Sequence, residues 1–227
     1  SITGQGNAGT GHTTSCTGQV CTVTRGTTGT PGIFTPGVTT VSFGGVKNPT
    51  VSGVTGTFAI TSTTNSGVTI DTLASVAGIT ITPGTISVAD VTPASLVAGA
   101  SGAATATFTT ANPVPADGKF VITFPTNFDV SVATVTDITG QGGAAGTGHT
   151  ISCTGQVCTV ARGASENPGT FTAGVTTVVF GAVKNPTVSG NTGLFAIETH
   201  TNGGAVIDSN IEVGFVAVTP GVLSGFD

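Results

Sequence analysis

The amino-acid sequence repeats itself, and it does so out of phase with its own ends. ITGQGNAGTGHTTSCTGQVCTVTRG, starting at Ile2, returns as ITGQGGAAGTGHTISCTGQVCTVARG, starting at Ile138. After one inserted residue the offset settles at 137, pairing Cys16 with Cys153, Arg25 with Arg162, Lys47 with Lys184 and Asp71 with Asp208. Residues 91–136 have no counterpart. The pattern predicts modules in tandem. Residues 1–84 read as the C-terminal part of a module whose front strands are missing. Residues 85–220 read as a complete module, and 221–227 as the start of the junction to the next. On this reading the chain is a segment of a longer array. The other reading is a degenerate duplication that lost a half, which would leave sheet edges in need of cover.

Each module must be built from strands. Apolar positions are taken by Val, Ile and Phe and polar ones by Thr, with only four Leu and no Met, a selection that favours pleated sheet over helix. ATATFTT (104–110) alternates, setting Thr105, Thr107 and Thr109 on one face and Ala104, Ala106 and Phe108 on the other. KFVITF (119–124) follows a Pro-Ala-Asp-Gly turn. Further strands are expected at 129–135, 149–153, 157–162, 175–184, 194–200, 205–208 and 211–218. About nine short strands separated by Gly, Pro and Asn predict an all-β antiparallel sandwich. TPGTISVADVTPAS (82–95), with two prolines, is expected to be a semi-rigid junction.

The four cysteines form two CTGQVC motifs, Cys16 with Cys21 and Cys153 with Cys158, on the arms of a predicted hairpin. Such a turn brings the two Cβ atoms within cross-strand reach, compatible with a disulfide, and two even pairs point to an oxidising compartment. Free buried thiols are one rival reading. Metal binding is the other, since His12 and His149 each precede the first cysteine by four residues. That leaves three candidate ligands where zinc wants four, so no metal is assigned.

Lys47 and Lys184, each in VKNPTVSG, read as solvated lysines at a strand end. The sharper alternative is an intramolecular isopeptide bond, which needs a desolvated lysine beside a buried acid. Asp90 and Asp227 lie at module junctions, where calcium would need several clustered oxygens, and no acidic loop is present. Arg25 and Arg162 read as outer-face residues. No nucleophile elbow, zinc-protease motif or phosphate loop occurs. GQGNAGTG (4–11) precedes a strand and not a helix N-terminus. No catalytic residue, cofactor or enzymatic activity is therefore expected.

Charge narrows the partners. Five Lys+Arg cannot form the basic stripe that nucleic acid demands. No run of 18 strongly apolar residues is available to span a membrane, and any signal peptide is expected to lie outside the sequence. Charged residues are only 7% of the chain, so the surface needs another means of solvation. Burial in a polymer and O-linked glycans on Thr and Ser are the two candidates.

Residues 94–131, with their PADGK…TFP core, and 181–208, opening on GAVKNPTVSG, resemble tandem modules of giant secreted or surface proteins of protists, of the stramenopile hair, fibre or coat type. The resemblance implies Ig-like sandwiches in series and a structural role in an extracellular filament, with other copies or flanking repeats as partners. The alternative is an adhesin or carbohydrate-binding module acting through loops at one end of the sandwich. Against it, the chain has no Trp or Tyr to stack on a sugar.

Overall fold

A computed structural model describes residues 1–3, 11–26, 36–140, 149–162 and 172–223. No helix occurs among them, as the Val, Ile, Thr and Phe selection requires. The chain falls into two units, Ser1–Asn48 and Pro49–Asp227.

The first unit holds β1 (Ile2–Thr3), β2 (Thr13–Thr17), β3 (Val20–Thr24) and β4 (Thr40–Val41). β2 and β3 form a hairpin closed by Gly18, whose φ of 59° suits a two-residue turn. β1 pairs antiparallel with β4.

The second unit opens with β5 (Gly53–Val54), β6 (Phe58–Thr63), β7 (Thr69–Val76) and β8 (Thr80–Ile81). Then follow β9 (Gly84–Thr85), β10 (Ser87–Pro93), β11 (Ser101–Thr109), β12 (Lys119–Thr123) and β13 (Thr134–Gly140). The last are β14 (Thr150–Thr154), β15 (Val157–Ala161), β16 (Val175–Lys184), β17 (Gly190–Asn191), β18 (Phe195–His200), β19 (Val206–Val213) and β20 (Ala217–Val218).

From β9 onward these strands build a sandwich, apart from β17 and β20, which pair with each other. One sheet has the order β10-β11-β16-β13, the other β14-β15-β12-β18-β19-β9. Every pairing within them is antiparallel except β9 on β19. The alternation of β11 places Ala104, Ala106 and Phe108 in the core and the three threonines outward. Phe108 meets Phe120 edge-on at 5.8 Å, and Phe124 meets Phe180 and Phe195 at 5.5 and 5.7 Å. Each such buried side chain contributes roughly 1.5–3 kcal/mol of hydrophobic stabilisation.

Three local expectations are corrected. Residues 129–135 do not form a strand of their own: Asp129 bridges Lys184 and then caps a turn, accepting from the Ser131 N–H and hydroxyl at 3.0 and 2.6 Å. Those bonds hold the Asp129 carboxyl below its ordinary pKa and delay the strand to Thr134. Residues 205–208 and 211–218 divide elsewhere than expected: β19 runs unbroken from Val206 to Val213, and a separate β20 takes only Ala217–Val218. Residues 82–95 are not a linker, because β9 and β10 are strands of the sandwich.

Candidate functional site

The offset lets most described residues before Gly84 be compared with one after it. Local pairings match. Phe58↔Val76, Ile60↔Leu73, Ser62↔Asp71 and Thr63↔Thr69 in the β6–β7 hairpin recur as Phe195↔Val213, Ile197↔Asn210, Thr199↔Asp208 and His200↔Val206, both bulges included. Cys16↔Cys21 recurs as Cys153↔Cys158, and Gly53↔Ile81 as Gly190↔Val218.

Burial does not match. Phe195, Ile197 and Ile207 are 0%, 0% and 1% exposed, whereas Phe58, Ile60 and Ile70 are 48%, 63% and 62% exposed. In the first unit Val41, Phe43 and Val46 are exposed, while Val178, Phe180 and Val183 are buried. The cause is visible in the sheets. β12 lies between β15 and β18, pairing Ile122 with both Cys158 and Ile197, and β11 lies between β10 and β16. Among the described residues before Gly84, β3 pairs only with β2, β4 only with β1 and β6 only with β7. A lone two-stranded hairpin is marginal in water. The β6–β7 hairpin also has an apolar face in water and, among the described residues, an edge without the partner strand that β12 gives β18.

Polar residues follow the same division. Asp208, fully buried, accepts from the Asn112 N–H at 3.0 Å and from Asn112 Nδ2 at 2.7 Å. Gly84 packs so closely there that a Cβ would overlap Asp208 Oδ1 and Asn112 Nδ2. Asn185, also buried, donates to the Ser95 and Val97 carbonyls at 2.6 and 3.0 Å. Both sets of partners lie in 91–136, the stretch without a counterpart. Asp71 and Asn48 are exposed. Asp71 keeps only contacts within its own hairpin: its N–H donates to Ser62 Oγ, as that of Asp208 donates to Thr199 Oγ1, and its carboxylate accepts from the Ser62 hydroxyl at 3.1 Å.

The sequence-predicted residues distribute as follows. Cys16–Cys21 and Cys153–Cys158 are disulfides with Cα atoms 4.1 Å apart, Cys158 lying in the core. His12 Nδ1 accepts from the Gly26 N–H at 3.1 Å, a bond that closes the hairpin base. No group of three or more His, Cys, Asp or Glu gathers among the described residues. Lys47 and Lys184 are exposed, without the burial an isopeptide bond needs. Asp90 is exposed and accepts from the Thr92 hydroxyl at 2.6 Å. Asp227 and most of the glycine-rich stretch 4–11 lie outside the described residues. Arg162 is not an outer-face residue. It is buried, donates from Nη1 to the Pro115 carbonyl at 2.9 Å, and burial holds its guanidinium below the ordinary pKa. The roles of Asp208 and Asn185 escape sequence reading. For Asp208 the signal is that Asp71 returns unchanged while the next two residues change from Thr72 and Leu73 to Ser209 and Asn210; Asn185 has none of its own, because the whole VKNPTVSG around it recurs.

No protein-family model matches the chain, and no curated protein matches it. Among solved structures the chain is similar to BslA, a bacterial hydrophobin, at 14% identity over 60% of this chain and 98% of that one, with a TM-score of 0.34. It is also similar to a non-cellulosomal cohesin from the hyperthermophilic archaeon Archaeoglobus fulgidus, at 13% identity over 60% and 92%, with a TM-score of 0.31. The architecture in hand is an all-β sandwich stapled by a hairpin disulfide.

Proposed function

We propose that this chain is a structural subunit of an extracellular filament or surface fibre, built from tandem or strand-complemented Ig-like modules. One observation carries the reading: side chains buried in the sandwich of the second unit have sequence equivalents, with the same strand pairing, that face solvent before Gly84. Surfaces of that kind are covered in assembled material. Flanking repeats of the same chain or other copies supply the cover, and strand addition to an open edge is the physical mode. Two disulfides fit an oxidising, extracellular setting. Among the described residues no helix is long and apolar enough to cross a membrane.

The outward row of Thr105, Thr107 and Thr109 carries the hydroxyls that O-linked glycans would occupy on a surface with little charge. This reading assigns no catalytic residue and no cofactor. The second reading, an adhesin, draws on a cleft lined by Thr126, Asn127, Thr187, Ser189 and Asn191 at loops beside the sandwich. Hydroxyl and amide groups there suit a polar ligand, yet no tyrosine or tryptophan face is available. Negative-stain microscopy of purified native material decides between them. Regular fibres are expected; dispersed particles that bind a glycan array would replace the filament reading with the adhesin.

A further inference from the structure

The β6–β7 hairpin has an open edge, an apolar face and a carboxylate, and the second unit shows what satisfies each of them in a hairpin of the same register. We propose that this hairpin is the docking surface for a polypeptide segment with the sequence chemistry of residues 85–136, contributed by a further copy of the module. The inference deepens the filament reading by naming the partner segment and its register.

The sandwich supplies that register. β12 pairs with β18 as Lys119↔His200, Phe120↔Thr199, Val121↔Glu198, Ile122↔Ile197 and Thr123↔Ala196. Moved back by 137 positions, a β12-like strand lies along β6 with those residues opposite Thr63, Ser62, Thr61, Ile60 and Ala59. It then covers the edge that β6 leaves unpaired among the described residues. Its Phe120 equivalent and that of Phe108 bring the aromatic pair that roofs the core in the second unit. The polar requirement is independent of the apolar one. An Asn112 equivalent, arriving with the same segment, presents an N–H and an amide to Asp71 as Asn112 does to Asp208. An unrelated hydrophobic surface would cover Phe58 and Ile60 but would leave Asp71 without those donors. A hydrogen-bonding strand without the aromatics would pair the edge but leave the face wet. Only a segment like 85–136 answers both demands in one register.

The test adds a second copy of residues 85–137 directly before Ile2, keeping the rest of the chain intact. Hydrogen exchange of residues 58–63 and 69–76 then slows by about a thousandfold, as expected when a frayed hairpin joins a cooperative unit, and the calorimetric heat of unfolding rises by roughly the contribution of one more domain. The existing sandwich in the same molecule reports whether the chain is folded. Phe120→Asp in the added copy abolishes the new protection. Asp71→Ala lowers the melting temperature in the extended chain and is silent in the original one. Unchanged exchange over 58–76 in a folded extended chain overturns the proposal. Full protection together with an absence of fibres in native material overturns the filament reading and leaves this one standing, so the two fail separately.

Discussion

Residues 58–76 and 195–213 are the same hairpin in two environments. The strands have the same lengths, the same register and the same two bulges, so local sequence is sufficient to specify pairing. It is not sufficient to specify burial. Phe195 and Ile197 are buried because β12 lies beside β18 and the opposite sheet lies over both; among the described residues Phe58 and Ile60 have neither neighbour. A core position is therefore a property of the assembled sheet, and the second hairpin shows what the first is shaped to receive.

The largest expected effect comes from truncating the matched aromatics. Phe195→Ala removes a fully buried ring in contact with Phe124 and Phe128 and costs about 3–5 kcal/mol. Phe58→Ala removes a ring about half in water and shifts stability by less than about 0.5 kcal/mol. Urea unfolding of the two variants measures both. Equal losses would mean that residues 58–76 are already packed in solution, and the contrast between the hairpins would disappear.

The carboxylates make a second, smaller contrast. Asp208→Ala leaves the Asn112 N–H and amide without their acceptor in a buried place. Losing charge-assisted bonds of this kind costs about 2–3 kcal/mol. Asp71→Ala, in the exposed counterpart, moves stability by less than about 0.5 kcal/mol. Thermal unfolding at neutral pH ranks them. A neutral result for Asp208→Ala would show that solvent replaces the carboxylate and that the contact with Asn112 organises nothing.

These pairs also show what a single sequence makes legible. Strand β11 could be read from its alternation, because one face of a sheet must be apolar and the period is two residues. The disulfides could be read from a hairpin that puts Cys153 opposite Cys158. Residues 129–135 misled, because Val130 and Val132 look like one face of a strand. A side chain-to-backbone turn at Asp129 instead sends Val130 into the core and Val132 into solvent. Arg162 misled for a related reason. A lone cation normally belongs on the surface, and its burial depends on the Pro115 carbonyl, 47 residues away. Asp208 and Asn185 were invisible as anchors because their partners, Asn112, Ser95 and Val97, lie in the stretch with no counterpart. Repetition within the chain identifies what recurs; it gives no sign of what a recurring residue touches outside the recurrence.

The smallest contrast concerns backbone strain and isolates a single methyl group. Ala182 sits at φ 57° beside the point where β16 carries an extra residue relative to β11. Its equivalent, Gly45, adopts nearly the same conformation at φ 71°, where the absence of a Cβ removes the clash with the following carbonyl. The Ala182 side chain is exposed, so its removal opens no cavity. Left-handed geometry penalises an L-residue by about 1–2 kcal/mol, and the extra freedom of glycine in the unfolded chain returns about 0.4–1 kcal/mol of that. Ala182→Gly is therefore expected to stabilise the sandwich by about 0.5–1 kcal/mol, read as a rise in the urea midpoint at unchanged slope. A fall in the midpoint would show that unfolded-state entropy outweighs the bulge strain, and that glycine at position 45 answers to something other than the turn of the strand.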